Sequence, residues 1–238
     1  VGKAAAGGKK KGRAKRIFKT AALTLLALHG LFLLVFFIGS LYVRFWNPPV
    51  TSLMLYRTLF TNERSRTISL TPLEKMPSNL APMTLSVEDA RFYQHWGIDP
   101  GAMVDAWRRN DGFEKKRYGA STVTQQTART LFLWPQKSYL RKYMEILIAL
   151  ELDLLVPKER ILELYLNYVE WGRGVYGATA AARHHFGRPL KDLSDDDLAR
   201  LVALLASPRK YAPATIGTRP PLQKRYDMLR EGLNAGSF

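Results

Sequence analysis

The run from Thr20 to Val43 limits this chain most, because it contains no Asp, Glu, Lys or Arg and includes Leu31-Phe32-Leu33-Leu34-Val35-Phe36-Phe37-Ile38. As a helix it is long enough to cross a hydrocarbon layer of about 30 Å. Backbone polar groups in lipid must be satisfied within the segment, so a single crossing has to be helical. Lys9, Lys10, Lys11, Arg13, Lys15, Arg16 and Lys19 precede it in a Gly- and Ala-rich stretch with almost nothing to bury. Residues 1–19 therefore read as a disordered basic arm, held in the cytoplasm by the positive-inside rule. Tyr42, Phe45 and Trp46 fall where an interfacial aromatic belt belongs. A cleaved signal peptide is the rival, but the apolar run is long and no convincing small-residue cleavage site follows. His29 lies in the span without a carboxylate partner there and is given no role.

The chain then divides into a transmembrane helix at 20–43, a juxtamembrane connector at 44–79 opened by Asn47-Pro48-Pro49, and a domain at 80–238 outside the cytoplasm. A formal charge of +16 calls for an anionic partner: nucleic acid, anionic lipid or a phosphorylated substrate. The absence of cysteine excludes disulfides, a cysteine nucleophile and a zinc–thiolate site.

Within the domain, Leu80 to Trp96 reads as a helix bounded by Gly97 and Pro100. Helical spacing puts Glu88, Phe92 and His95 on one face, and a carboxylate beside apolar walls suits acid–base work. The alternative is that Ser86 is an N-cap, with Glu88 and Asp89 simply favourable in a first turn. Gly101 to Arg109 reads as a second helix with Met103 and Trp107 buried. The polar loop at 110–118 is either a solvated connector or a substrate flap. Thr122 with Gln125 forms a capping box, and the helix start with Ser121, Thr122, Gln126 and Arg129 is a good place to hold phosphate oxygens. A second long helix runs from Tyr139 to Leu155, with Leu147, Leu150, Leu154 and Leu155 as its buried stripe. On it Arg141 and Glu145 are spaced as a helix-surface ion pair, worth about 0.2–0.5 kcal/mol. Another helix starts at Lys158, turning Ile161, Leu162, Tyr165 and Leu166 inward, and ends near Tyr168.

Some patterns are rejected. Gly172-Arg173-Gly174-Val175-Tyr176-Gly177 has dinucleotide-loop spacing, but no strand precedes it. His184 and His185 are adjacent and point apart on a helix, making a poor metal pair. Ser207-Pro208-Arg209-Lys210 has the S-x-x-K spacing of acyltransferases, but neither partner motif follows. The tail beyond Pro208 carries one short helix around Arg225 to Leu233.

Taken together, these stretches resemble the monofunctional, membrane-anchored peptidoglycan glycosyltransferases of the lysozyme-like superfamily, over about Pro49 to Pro213. Glu88-Asp89 with Phe92, His95 and Gly97 is similar to the family's first motif, and Gly119, Ser121-Thr122 and Gln125-Gln126 to its second. Arg141-Lys142 with Glu145 is similar to the third, Lys158 to Asn167 to the fourth, and Gly172 to Gly187 to the fifth. The chain departs from the usual Lys-Asn at Arg129-Thr130, and from Tyr-Phe-Gly at His185-Phe186-Gly187.

The resemblance implies a mainly α-helical, two-lobed lysozyme-like domain with one N-terminal transmembrane helix, in the bacterial inner membrane with the catalytic domain in the periplasm. It implies polymerisation of lipid II and the growing lipid-linked glycan chain by inverting transfer. The GlcNAc 4-hydroxyl would attack a lipid-pyrophosphate-linked donor to give β-1,4 links, in service of cell wall and cell shape and with sensitivity to moenomycin. It makes Glu88 the general base and gives Glu145 the pyrophosphate side, directly or through a divalent cation, although the sequence requires no cofactor. Asp89, Ser121, Thr122, Gln126, Arg129, Arg141 and Lys142 are the implied substrate-binding residues. Cell-wall synthesis or division proteins are compatible partners. A lytic muramidase or transglycosylase on the same fold is the alternative, but it needs no pyrophosphate-binding cations. A nucleic-acid-binding module would show diffuse basic patches rather than carboxylates set in ordered motifs.

Overall fold

The computed structural model describes residues 3–61, 63, 68–110 and 119–238, so the polar loop after Asn110 lies outside the described residues. The chain is mainly α-helical: α1 (Lys3–Phe45), α2 (Ser52–Phe60), α3 (Leu80–Glu88), α4 (Pro100–Asn110), α5 (Val123–Phe132), α6 (Tyr139–Leu155) and α7 (Lys158–Tyr168). A short antiparallel hairpin, β1 (Glu170–Gly172) and β2 (Val175–Tyr176), follows. Then come α8 (Ala178–Phe186), α9 (Asp195–Ala203) and α10 (Pro220–Asn234), with short 3₁₀ turns between elements.

α1 begins at Lys3, so the arm continues the helix where disorder was expected. Ala, Lys and Arg are good helix formers, and adding residues to an existing helix avoids a new nucleus. Within α1, Lys15–Phe45 is long and apolar enough to cross a membrane. The C-terminal half of α1 leans on α6. Ser40 and Val43 are buried, the Phe36 ring meets Phe132 edge-on at 5.7 Å, and Arg44 donates to the Leu155 carbonyl at 2.6 Å.

Two helix groups form the domain. In one, α5 packs against both α6 and α7, with Val123, Ala128, Ile148, Leu152, Ile161 and Tyr165 sharing a core. Each large apolar side chain there stabilises by about 1.5–3 kcal/mol. In the other, α3, α9 and α10 pack together through Leu80, Met83, Leu198, Val202, Leu222 and Leu229. The inward face expected of α7 is buried throughout. α6 has its expected bounds but a different stripe: Arg141, Glu145, Ile148, Ala149 and Leu152 are buried, while Leu150 and Leu154 are exposed. The face turned to α5 carries the charged pair, so Leu150 and Leu154 fall on the outer side, while Leu147 and Leu155 are half-buried.

α3 stops at Glu88, eight residues short of the expected end at Trp96. Asp89 leaves the helix at φ −165°, ψ 71°, and its carboxylate accepts the Val123 N–H at 2.8 Å. That N–H is one of the first-turn donors of α5, which have no partner inside their own helix. Asp89 also holds His95 Nε2 at 3.0 Å. Glu88, Phe92 and His95 therefore do not share a helix face: Phe92 enters the core, while His95 closes on Asp89. Ser86 is not an N-cap but sits inside α3, donating to the Met83 carbonyl at 2.8 Å. On α4 the burial expected for Met103 and Trp107 is also reversed, since both are exposed with Val104, and Ala106 alone among the apolar side chains described there is buried. α4 packs weakly on the other described elements, so its apolar face is left uncovered.

Gly97 ties the turn after α3 to the rest. It adopts φ +75°, its carbonyl accepts the Thr122 hydroxyl at 2.6 Å, and a Cβ there would lie 2.4 Å from the Ala149 carbonyl oxygen. Gly97→Ala is expected to cost about 1–3 kcal/mol from backbone strain alone. An unchanged thermal unfolding midpoint would contradict that.

The tail helix is longer than the short one expected, running over Pro220–Asn234. Asp196 fastens it to α9, accepting from Tyr226 Oη at 2.5 Å, from Arg200 Nε at 2.7 Å and from Arg230. Burial pushes the Asp196 carboxyl up, but the Tyr226, Arg200 and Arg230 hydrogen bonds outweigh it and bring it from 3.8 down to about 2. A value lowered on folding gives stability that is present above pH 3.8 and lost as pH falls towards 2. Hydrogen-exchange protection of the α10 amides should accordingly drop between pH 5 and about pH 2.5. Equal protection factors at both would refute the fastening.

Candidate active site

Glu88, the last residue of α3, stands where the two helix groups meet. Its Oε2 accepts Gln126 Nε2 from α5 at 2.9 Å, and its Oε1 accepts Arg225 Nη2 from α10. Gln126 Oε1 in turn accepts the Tyr165 hydroxyl at 3.3 Å. Burial, and then the Glu88 charge, push the Tyr165 phenol well above its ordinary value, so it remains an O–H donor. One cavity opens beside Glu88, lined also by Asp89, Arg91, Asp105, Ser121 and Thr122. On that wall Asp99 binds the Arg91 guanidinium at 2.8 and 3.0 Å. Burial acts to raise Asp99, but the Ala102 N–H and Arg91 outweigh it and hold the carboxyl low.

Glu145 has no exposed surface. Arg141 bonds its Oε2, Lys142 Nζ lies 2.6 Å from Oε1, and Arg129 Nη1 lies 3.9 Å from Oε2. The Arg141–Glu145 spacing that reads as a surface pair is thus a buried pair, and Lys142 extends it to the Ser121 hydroxyl at 3.1 Å. Three cations around one carboxylate leave a local positive excess. It borders a second cavity lined by Arg57, Gln126, Arg129, Lys137, Arg141 and Arg209. Gln126 lines this cavity and bonds Glu88, which lines the first, so the two spaces meet across that hydrogen bond. On the far wall Arg209 and Arg57 hold Glu170 at 3.3 Å each; burial raises the Glu170 carboxyl in spite of both.

Asp89, Thr122 and the Lys158 region serve the frame of the site. The Thr122 hydroxyl caps α5 by accepting the Gln125 N–H at 3.0 Å while donating to Gly97. Lys158 Nζ bonds Asp153 at 2.6 Å and the His95 carbonyl at 2.7 Å. Glu163 and Asn167 hold the connector, accepting the Leu73 and Thr71 N–H groups at 2.9 Å each. Among the described residues no group of three or more His, Asp and Glu could hold a metal ion. Sequence reasoning missed Arg225, which is 137 positions from Glu88 and belongs to no local pattern, and gave no site role to Tyr165, which it placed in the core and within the fourth motif.

A family model described as Transglycosylase matches residues 55–231. The chain is 40% identical over 174 residues to a biosynthetic peptidoglycan transglycosylase of Ectopseudomonas mendocina (strain ymp), covering 71% of this chain and 72% of that protein. It is 43% identical over 169 residues to one of the same description from Pseudomonas fluorescens (strain SBW25), covering 69% and 70%. A third, from Shewanella frigidimarina (strain NCIMB 400), is 38% identical over 194 residues, 82% of each chain.

Proposed function

The chain belongs to the transglycosylase family of the biosynthetic peptidoglycan enzymes, and we propose that it polymerises lipid II into glycan strands. The observation that carries this reading is the division of labour between two carboxylates. Glu88 faces a cavity and has an amide and one guanidinium as partners, whereas Glu145 is buried under Arg129, Arg141 and Lys142.

The acceptor's GlcNAc 4-hydroxyl gives its proton to Glu88 as its oxygen bonds the donor's anomeric carbon. The anomeric carbon–oxygen bond to the pyrophosphate breaks on the opposite face, giving inversion and a β-1,4 link. The lipid pyrophosphate leaves with the electron pair as an anion, so the site must supply positive charge rather than a proton. Arg129, Arg141 and Lys142 supply it, with Gln126 and Ser121 as neighbouring polar groups; Glu145 keeps the cations gathered. Thr122 and Asp89 hold the helix start that presents these groups. A divalent ion fits this donor set poorly: both Glu145 oxygens already bind cations, and a metal there would face three positive charges.

α1 anchors the protein in the bacterial inner membrane with the basic arm in the cytoplasm and the domain in the periplasm. Exposed Tyr93, Trp96 and Trp107 suit a surface that meets lipid and receives a lipid-linked substrate. The test is incubation of the detergent-solubilised chain with labelled lipid II, followed by gel separation. Polymer that muramidase digests and moenomycin suppresses is expected; folded protein that makes none would overturn the reading.

A further inference from the structure

Arg225 reaches Glu88 from the last helix, and the way it is engaged sets it apart from its neighbours. Arg200 and Arg230 converge on Asp196 and Tyr226, the clamp that fastens α10 to α9. Arg225 instead directs Nη2 at Glu88 Oε1, and its Nε is buried without a hydrogen-bond partner among the described residues. The paired side chains are only 22% and 12% exposed. A guanidinium serving mainly to fasten a helix would spread its donors over several acceptors; this one is spent on the carboxylate beside the cavity. Glu88 ends its helix, and a glutamate side chain left free there would occupy several rotamers. With Gln126 on Oε2 and Arg225 on Oε1, the carboxylate is held from both helix groups at once.

We propose that Arg225 is a positioning residue for glycosyl transfer, fixing the plane of the Glu88 carboxylate so that one of its oxygens meets the acceptor's proton. The proposal rests on the reading of Glu88 as general base. The proton moves from the acceptor hydroxyl to a Glu88 oxygen; Arg225 keeps all of its own. Other polar groups near that carboxylate include Gln126, Tyr165 behind it, and Asp89, which is taken up by His95 and the Val123 N–H, while Arg91, Asp99, Asp105, Ser121 and Thr122 line the same cavity. The last helix thereby becomes part of the active site, which explains why the clamp through Asp196 holds it so firmly.

The full chain and its Arg225→Met, Arg225→Gln and Arg225→Lys variants would be compared in lipid II polymerisation, with thermal unfolding alongside. Removing the guanidinium should lower kcat about 10–100-fold while KM changes by less than about threefold. Arg225→Lys should recover most of the lost kcat. Wild-type kcat in the neutral variants would overturn the proposal. So would a loss that merely follows the folded fraction, or one that Arg225→Lys does not recover. A wild-type chain unable to polymerise lipid II would instead overturn the reading of the site itself.

Discussion

Glu88→Gln is expected to lower turnover by about 10²–10⁴-fold, the range a positioned general base supplies. Glutamine keeps the length and planarity of the side chain but offers one oxygen where Glu88 offers two, so one of Gln126 and Arg225 keeps its acceptor and the other loses it. What it removes is the capacity to accept a proton. The lost charge-assisted hydrogen bond to Arg225 costs on the order of 2 kcal/mol, which leaves the domain folded. A steady-state polymerisation assay beside a thermal melt checks both halves. Near-normal polymerisation by the folded variant would remove Glu88 from the role of base.

Glu145→Gln should behave differently, because its carboxylate is fully buried under cations. Taking the charge from one partner of a buried pair leaves the others uncompensated, with a typical cost of about 3–5 kcal/mol. Arg141, only 6% exposed, bears most of that cost. Lys142, a third exposed, can turn outward to water, although that takes it from Ser121. The thermal midpoint should fall well below that of Glu88→Gln, and polymerisation should fall with it as the cation cluster disperses. Adding Arg141→Met should restore part of the midpoint without restoring turnover, since the unpaired buried charge is gone while a phosphate-side cation is lost. A Glu145→Gln protein as stable as wild type would mean that the cluster is held by something other than its carboxylate.

Features of the site that depend on neighbours in the chain were readable. The capping box of Thr122 and Gln125, the bounds of α6 and the inward face of α7 follow from local hydrogen bonding and periodicity, and the structure has all of them. The end of α3 was not readable, because Asp89 turns away to serve an amide 34 residues on. Periodicity on α6 marks apolar residues but cannot say that its buried face also carries an arginine and a glutamate, which are buried because they compensate each other. On α4 the same pattern marks a face without saying whether protein covers it, and Met103 and Trp107 are left open. Arg225 was hidden most completely, since only the packing of α10 on α3 and α9 brings it to Glu88.

The most direct measurement gives the solubilised chain lipid II in one reaction and preformed uncross-linked glycan in another, and follows chain length in both. Bond formation by a base at Glu88, with cations at Glu145, predicts lengthening polymer from lipid II and no shortening of the glycan. Shortened glycan with no polymer from lipid II would contradict the account and assign the same fold and the same glutamate to cleavage.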